Sequence, residues 1–141
     1  VFTPAEELAK QLVSIPLLKP DEAMIAVALK SGKRIGVLAT NPPAAPAAES
    51  QIRAAAAPGA EIEVVQAVAE GAFAAGNAGD AATHDRLVAD AAERLSLAVD
   101  VICMAQVSMG LARAAAQARS RVPILSSPAT AVARLKALLN G

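Results

Sequence analysis

The sequence is short of most residues that carry chemistry by themselves. It has no Trp or Tyr and only two aromatic residues, Phe2 and Phe73, so bases or sugars find no stacking platform here. A single cysteine, Cys103, excludes an internal disulfide and any multi-cysteine zinc site, and fits a reducing cytosol. The single histidine, His84, has no Cys or His neighbours with which to build a zinc site, and no metal is expected. Neither sign of charge is in excess: thirteen Lys and Arg face thirteen Asp and Glu, which argues against a phosphate-binding face and nucleic-acid partners. Apolar runs stop well short of the roughly 20 residues of a membrane helix, so no membrane partner is expected either. GxGxxG and GxxxxGK[ST] patterns are both absent, and nucleotide binding loses its best support. Residue 1 is Val and no signal-peptide pattern precedes it; the first segment reads as mid-domain material, so the chain is expected to be a piece of a longer, cytoplasmic protein.

What is present is aliphatic. The 141 residues are 55% hydrophobic, enough for one domain with an alanine- and aliphatic-filled core and too apolar for disorder. Short β-branched runs alternate with alanine-rich stretches. Thr3-Pro4-Ala5-Glu6 predicts a helix start running to about Val13, and Pro16–Lys19 a short strand. Asp21 is expected to cap a helix to about Lys30, ended by Gly32. RIGVLAT (34–40), EIEVVQAV (61–68), DVICMAQ (100–106) and VPILSS (122–127) read as four strands buried on both faces. Between them the pattern predicts helices from about Ala47 to Ala57, after Glu70-Gly71, and from an Asp80 cap to about Leu97. Two more are expected: Met109 to Arg119 capped by Ser108, and a final helix capped at Ser127-Pro128. Strand–helix alternation with right-handed crossovers gives a three-layer α/β domain, a four-stranded parallel sheet flanked by helices.

Ligands of such sheets bind outside the carboxyl ends of the strands. The residues read there are Thr40-Asn41, Gln66, Gln106-Val107-Ser108 and Ser126-Ser127, an edge of hydroxyls and amides without lysine. That edge suits a small carboxylate better than a triphosphate. Each Ser or Thr taken singly is as well read as a helix cap or a strand terminator; it is their gathering on one edge that points to a site. Cys103 lies three residues before its strand tip, inside an apolar run, where cysteine behaves as a small buried hydrophobe. His84, near Asp80 and Asp85, reads as a surface or capping residue, and Glu70 as an exposed loop carboxylate.

Taken in order, RIGVLAT, the EGAF…GD…HD stretch, DVICMAQVSM and VPILSSP resemble the aspartate/glutamate racemase superfamily, which includes hydantoin racemases, arylmalonate decarboxylase and maleate isomerase. The resemblance covers most of the chain and is strongest from Lys33 onward. It implies a two-half, flavodoxin-like fold with the active site between the halves. It also implies cofactor-independent proton transfer at the α-carbon of a small carboxylate by two strand-tip cysteines, and association into homo-oligomers. Residues 1–32 match the closing part of a first half, and 33–141 the second half. Thr40 matches the family threonine, with Asn41, Gln106, Ser108 and Ser127 as further candidate substrate-binding residues. The family cysteine place reads Ala105-Gln106-Val107, so Gln106 stands where a thiol is expected, and Cys103 is offset by three residues. A first-half cysteine is expected upstream of Val1, which leaves this chain half a site and no activity by itself. Two other readings are a carboxylate-binding domain without turnover and a single-cysteine decarboxylase or isomerase in the full-length protein. A flavodoxin-like or response-regulator domain ranks below both; the latter needs clustered acidic strand tips to hold a metal, and these tips are mostly Thr, Gln and Ser.

Overall fold

In the computed structural model, which describes residues 19–141, the four apolar runs pair in one parallel sheet of order β2-β1-β3-β4. The strands are β1 (Arg34–Ala39), β2 (Glu63–Val68), β3 (Val101–Met104) and β4 (Ile124–Leu125). The helices are α1 (Pro20–Ser31), α2 (Ala44–Ala55), α3 (Ala72–Asn77), α4 (Ala81–Leu95), α5 (Arg113–Arg119) and α6 (Ser127–Leu139), with a 3-10 helix at Val107–Ala112 leading into α5.

The strand period of two sorts the core into two layers. Ile35, Val37 and Ala39 of β1, with Val101 and Cys103 of β3, pack against Met24, Ile25 and Ala28 of α1 and Ala45 and Ile52 of α2. Leu38, Ile102, Met104 and Ile124 face the other way, onto Val88, Ala91, Ala92 and Leu95 of α4 and Met109, Ala112 and Ala116 beyond β3. Both faces of the central strands are therefore dry, which is why they read as unbroken apolar runs. Small residues let the layers approach. A Cβ on Gly36 would stand 2.9 Å from Leu95 Cδ2 and 3.1 Å from Val99 Cγ2, so the bare backbone there is what seats the end of α4 on β1.

Several boundaries differ from the expectations for physical reasons. α2 begins at Ala44 rather than Ala47, because a first-turn proline such as Pro46 costs no intrahelical bond: those N–H groups have no partner anyway. β3 and β4 are shorter than their apolar runs, since β4 pairs with β3 only through Ile124 and Leu125. Asp21 sits inside the first turn of α1 and is not its cap; Lys19 holds that position, without a side-chain cap bond. Ser108 lies within the 3-10 helix, with Gln106 at its cap position, and Ser127 is the first residue of α6, with Ser126 at the cap position. Asp80 does cap α4, its carboxylate accepting the Thr83 N–H at 3.0 Å. The helix expected near residues 3–13 lies outside the described residues, as does nearly all of the strand expected at Pro16–Lys19. α1 packs along α6 and shares the core of the β1–β3 face. Among the described residues no helix is long and apolar enough to cross a membrane.

Candidate functional site

The strand order decides where a crevice opens. From β1 the chain crosses to β2 on one side, while from β3 it crosses to β4 on the other. The carboxyl ends of β1 and β3 therefore diverge into loops with no strand between them, the switch point at which such sheets bind ligands. Thr40 and Asn41 follow β1 at this point, and Ala105 and Gln106 follow β3.

Local hydrogen bonding leaves two donors free there. The ladder beside β1 ends with the Ala105 N–H on the Leu38 carbonyl and the Ala69 N–H on the Ala39 carbonyl, both 2.8 Å. One residue on, the Asn41 carbonyl accepts the Ala44 N–H at 3.0 Å and turns the chain into α2. The N–H groups of Thr40 and Asn41 thus face the crevice as a two-donor nest. Both meet one atom, Oε1 of Gln106, at 2.8 and 3.3 Å, and the Thr40 hydroxyl donates to the same oxygen at 3.1 Å. Backbone N–H groups can only donate, so this contact fixes the carboxamide with its oxygen inward. Thr40 is buried, while Asn41 and Gln106 are half-buried at the rim.

Of the residues expected at this edge, Thr40, Asn41 and Gln106 are thus brought together, and others are not. Ser108 is exposed and lines a groove of about 420 Å³ with Val107, Leu111, Ser126 and Pro128, next to Gln106 in the chain. Ser127 is buried and turns its hydroxyl to the Asp21 carboxylate, tying α6 to α1 instead of joining the Thr40–Gln106 cluster. Gln66 is not a strand tip at all. It pairs with Val37 inside β2, which continues to Val68, and its amide donates to Glu49 of α2. Arg113 escaped the sequence reading because it lies on a helix well past the strand tip. It lines the same groove, anchored by its Nε donating to the Ile124 carbonyl at 2.8 Å, and no local pattern marked it.

Cys103 lies away from this crevice chemically as well as spatially. Its side chain is fully buried toward α1 and α2, and burial, followed by the nearby Asp21 charge, pushes the thiol up to about 12. It is a neutral core group at physiological pH and cannot serve as the thiolate base. His84, on α4, bonds Asp85 through Nδ1 at 2.9 Å, and Glu70 is exposed beyond β2. Among the described residues no cluster of three or more His, Cys, Asp or Glu is arranged to hold a metal.

The site can therefore do one thing well, which is to hold an oxygen acceptor in three convergent donors at a sheet switch point. Comparison with known proteins agrees with this architecture. The crystal structure of glutamate racemase isoform RacE1 from Bacillus anthracis superimposes with a TM-score of 0.69 at 17% identity, over 99% of this chain and 54% of that one. The likeness is one of fold, and the chain spans about half the length of that structure. No curated protein matches the chain. The family model for Asp/Glu/Hydantoin racemase matches residues 2–135, and the chain belongs to that family.

Proposed function

We propose that this chain supplies the carboxylate-holding half of a cofactor-independent, racemase-type enzyme that moves a proton at the α-carbon of a small amino acid, hydantoin or dicarboxylate. The observation that carries the reading is the convergence of Thr40 N–H, Thr40 Oγ–H and Asn41 N–H on one point between the ends of β1 and β3. Donors fixed in this way favour a carboxylate, and favour it more as negative charge builds on it when the α-proton leaves. Each hydrogen bond to a charged oxygen contributes ~1.5–3 kcal/mol. The proton itself needs another group. A carboxamide at Gln106 neither takes nor delivers it at neutral pH, and Cys103 is buried and neutral. The acid–base residue is therefore assigned to another half of the enzyme, the two-half fold being what the resemblance implies, and the chain spans about half the length of the glutamate racemase structure. On this reading residues 1–32 close the first half, with α1 docked on the second.

A second reading, a carboxylate-binding domain without turnover, is favoured by Gln106 itself, since it stands where the resemblance expects a thiol. Incubation of the protein with both halves present, in D2O with aspartate, glutamate, malonate and hydantoin, separates the two. The enzymatic reading expects loss of the α-proton signal of at least one acid. Thermal stabilisation by the acids without exchange supports the binding reading, and neither effect in folded protein contradicts both.

A further inference from the structure

The nest at the carboxyl end of β1 already holds an oxygen, and that oxygen is neutral. The opposite end of β1 shows what the same arrangement does with a charged one. There the consecutive N–H groups of Lys33 and Arg34 reach the Asp100 carboxylate at 3.1 and 2.9 Å, and Arg34 Nη2 adds a third donor at 2.9 Å. Both ends use two successive backbone N–H groups and one side-chain donor from the flank of β1. Both direct them at a residue flanking β3, Asp100 before it and Gln106 after it. At the Asp100 end the Arg34 backbone N–H first, then the charged Arg34 side chain, hold the carboxyl below the usual range; the backbone donors, which the two ends share, thus favour an anion, and the Arg34 charge adds to it.

Gln106 is a weaker occupant. Its carbonyl makes neutral hydrogen bonds, roughly half as strong as those a carboxylate makes to the same donors. It hangs on a side chain with several rotatable bonds, half-buried at the rim. We propose that Gln106 is a displaceable internal ligand: its Oε1 closes the Thr40–Asn41 nest until a small carboxylate takes its place. This rests on the carboxylate reading above and deepens it, because binding then carries the cost of expelling the carboxamide. Apparent affinity is lowered by the closed fraction, and removing the side chain restores it.

Acetate is the probe, read through the backbone amide NMR signals of Thr40 and Asn41 in the wild type, Gln106→Ala and Gln106→Glu. The alanine variant is expected to bind acetate about tenfold more tightly than the wild type, a gain set by the lost competition. The glutamate variant keeps an acceptor oxygen in the nest, now charged, and is expected to show no acetate-induced shift at these amides. Equal or weaker binding by Gln106→Ala overturns the proposal, since the carboxamide would then help the ligand. Undiminished binding by Gln106→Glu, or no shift in any of the three proteins, overturns it as well. If the alanine variant does not fold, Gln106→Ser carries the same expectation of tighter binding. Failure here is distinct from failure of the enzymatic reading. Acetate occupancy without α-proton exchange on any acid retains displacement and removes the enzyme; exchange with equal wild-type and alanine affinities does the reverse.

Discussion

At one end of β1, Lys33 and Arg34 aim consecutive N–H groups at a carboxylate; at the other, Thr40 and Asn41 aim theirs at a carboxamide. The two ends differ in what surrounds the acceptor. Asp100 accepts from three donors, with its Cβ packed beside Gly32, and it ties the start of β3 to the start of β1. Gln106 stands at a switch point, beside a groove, on a chain segment that leaves the sheet for a 3-10 helix. A permanent anion suits a joint. A neutral oxygen on a half-buried side chain suits a place proposed to admit a ligand. The strand pair thus uses one backbone device twice, once for structure and once where the sheet topology opens to ligand.

The largest expected effect strikes the structural end. A Cβ on Gly32 would lie 2.4 Å from Asp100 Cβ, and because Gly32 is in extended backbone the obstacle is space and not conformation. Gly32→Ala is expected to lose ~1–3 kcal/mol of stability by overpacking, read from urea denaturation. An unchanged midpoint and slope would mean that the Asp100 joint is not packed as described.

A smaller loss, ~1 kcal/mol, is expected for Cys103→Ala, which removes one buried sulfur from between the two ends. Its pH dependence is more telling than its size. The thiol titrates near 9 when unfolded and is pushed up to about 12 in the fold. The stability it contributes is complete below pH 9 and is lost as pH rises toward 12. The gap between the wild type and the alanine variant should therefore narrow in alkali, and a gap independent of pH would refute the buried, neutral thiol. Smallest at neutral pH is Asp100→Asn, because the carboxylate and its partner Arg34 are partly solvated. The Asp100 carboxyl is held low, so its contribution is present above the ordinary carboxylate range and is lost as pH falls through the lowered value. The wild type and Asp100→Asn should converge in acid; a difference that widens there would break the comparison between the two ends.

Much of this architecture was legible in the sequence because burial on both faces writes itself as unbroken apolar runs. RIGVLA, EVVQAV, VICM and IL all fall within the predicted strands. The rule that ligands gather beyond strand ends also led to Thr40, Asn41 and Gln106, which the fold brings within hydrogen-bond distance across 65 and 66 residues of chain. What stayed hidden depends on pairing. Gln66 reads as a polar tip although its own apolar run extends to Val68, and its pairing with Val37 inside β2 is what removes it from the edge. Ser127 reads as a cap until α1 places Asp21 against it. Gly32 reads only as a helix stop, because its contact with Asp100 requires β3 to lie next to β1. The substitution at the expected thiol position was visible, but the donors that meet Gln106 Oε1 were not, since a local pattern carries no information about a partner two strands away in sequence.

The central claim is that the Thr40–Asn41 end of β1 receives a small carboxylate while the Lys33–Arg34 end does not, being already filled. Its most direct test is one titration of the wild-type protein with acetate, following all four backbone amide signals by NMR. The account predicts saturable shifts at Thr40 and Asn41 with Lys33 and Arg34 unmoved. Shifts at Lys33 and Arg34 alone, or at none of the four, would contradict it.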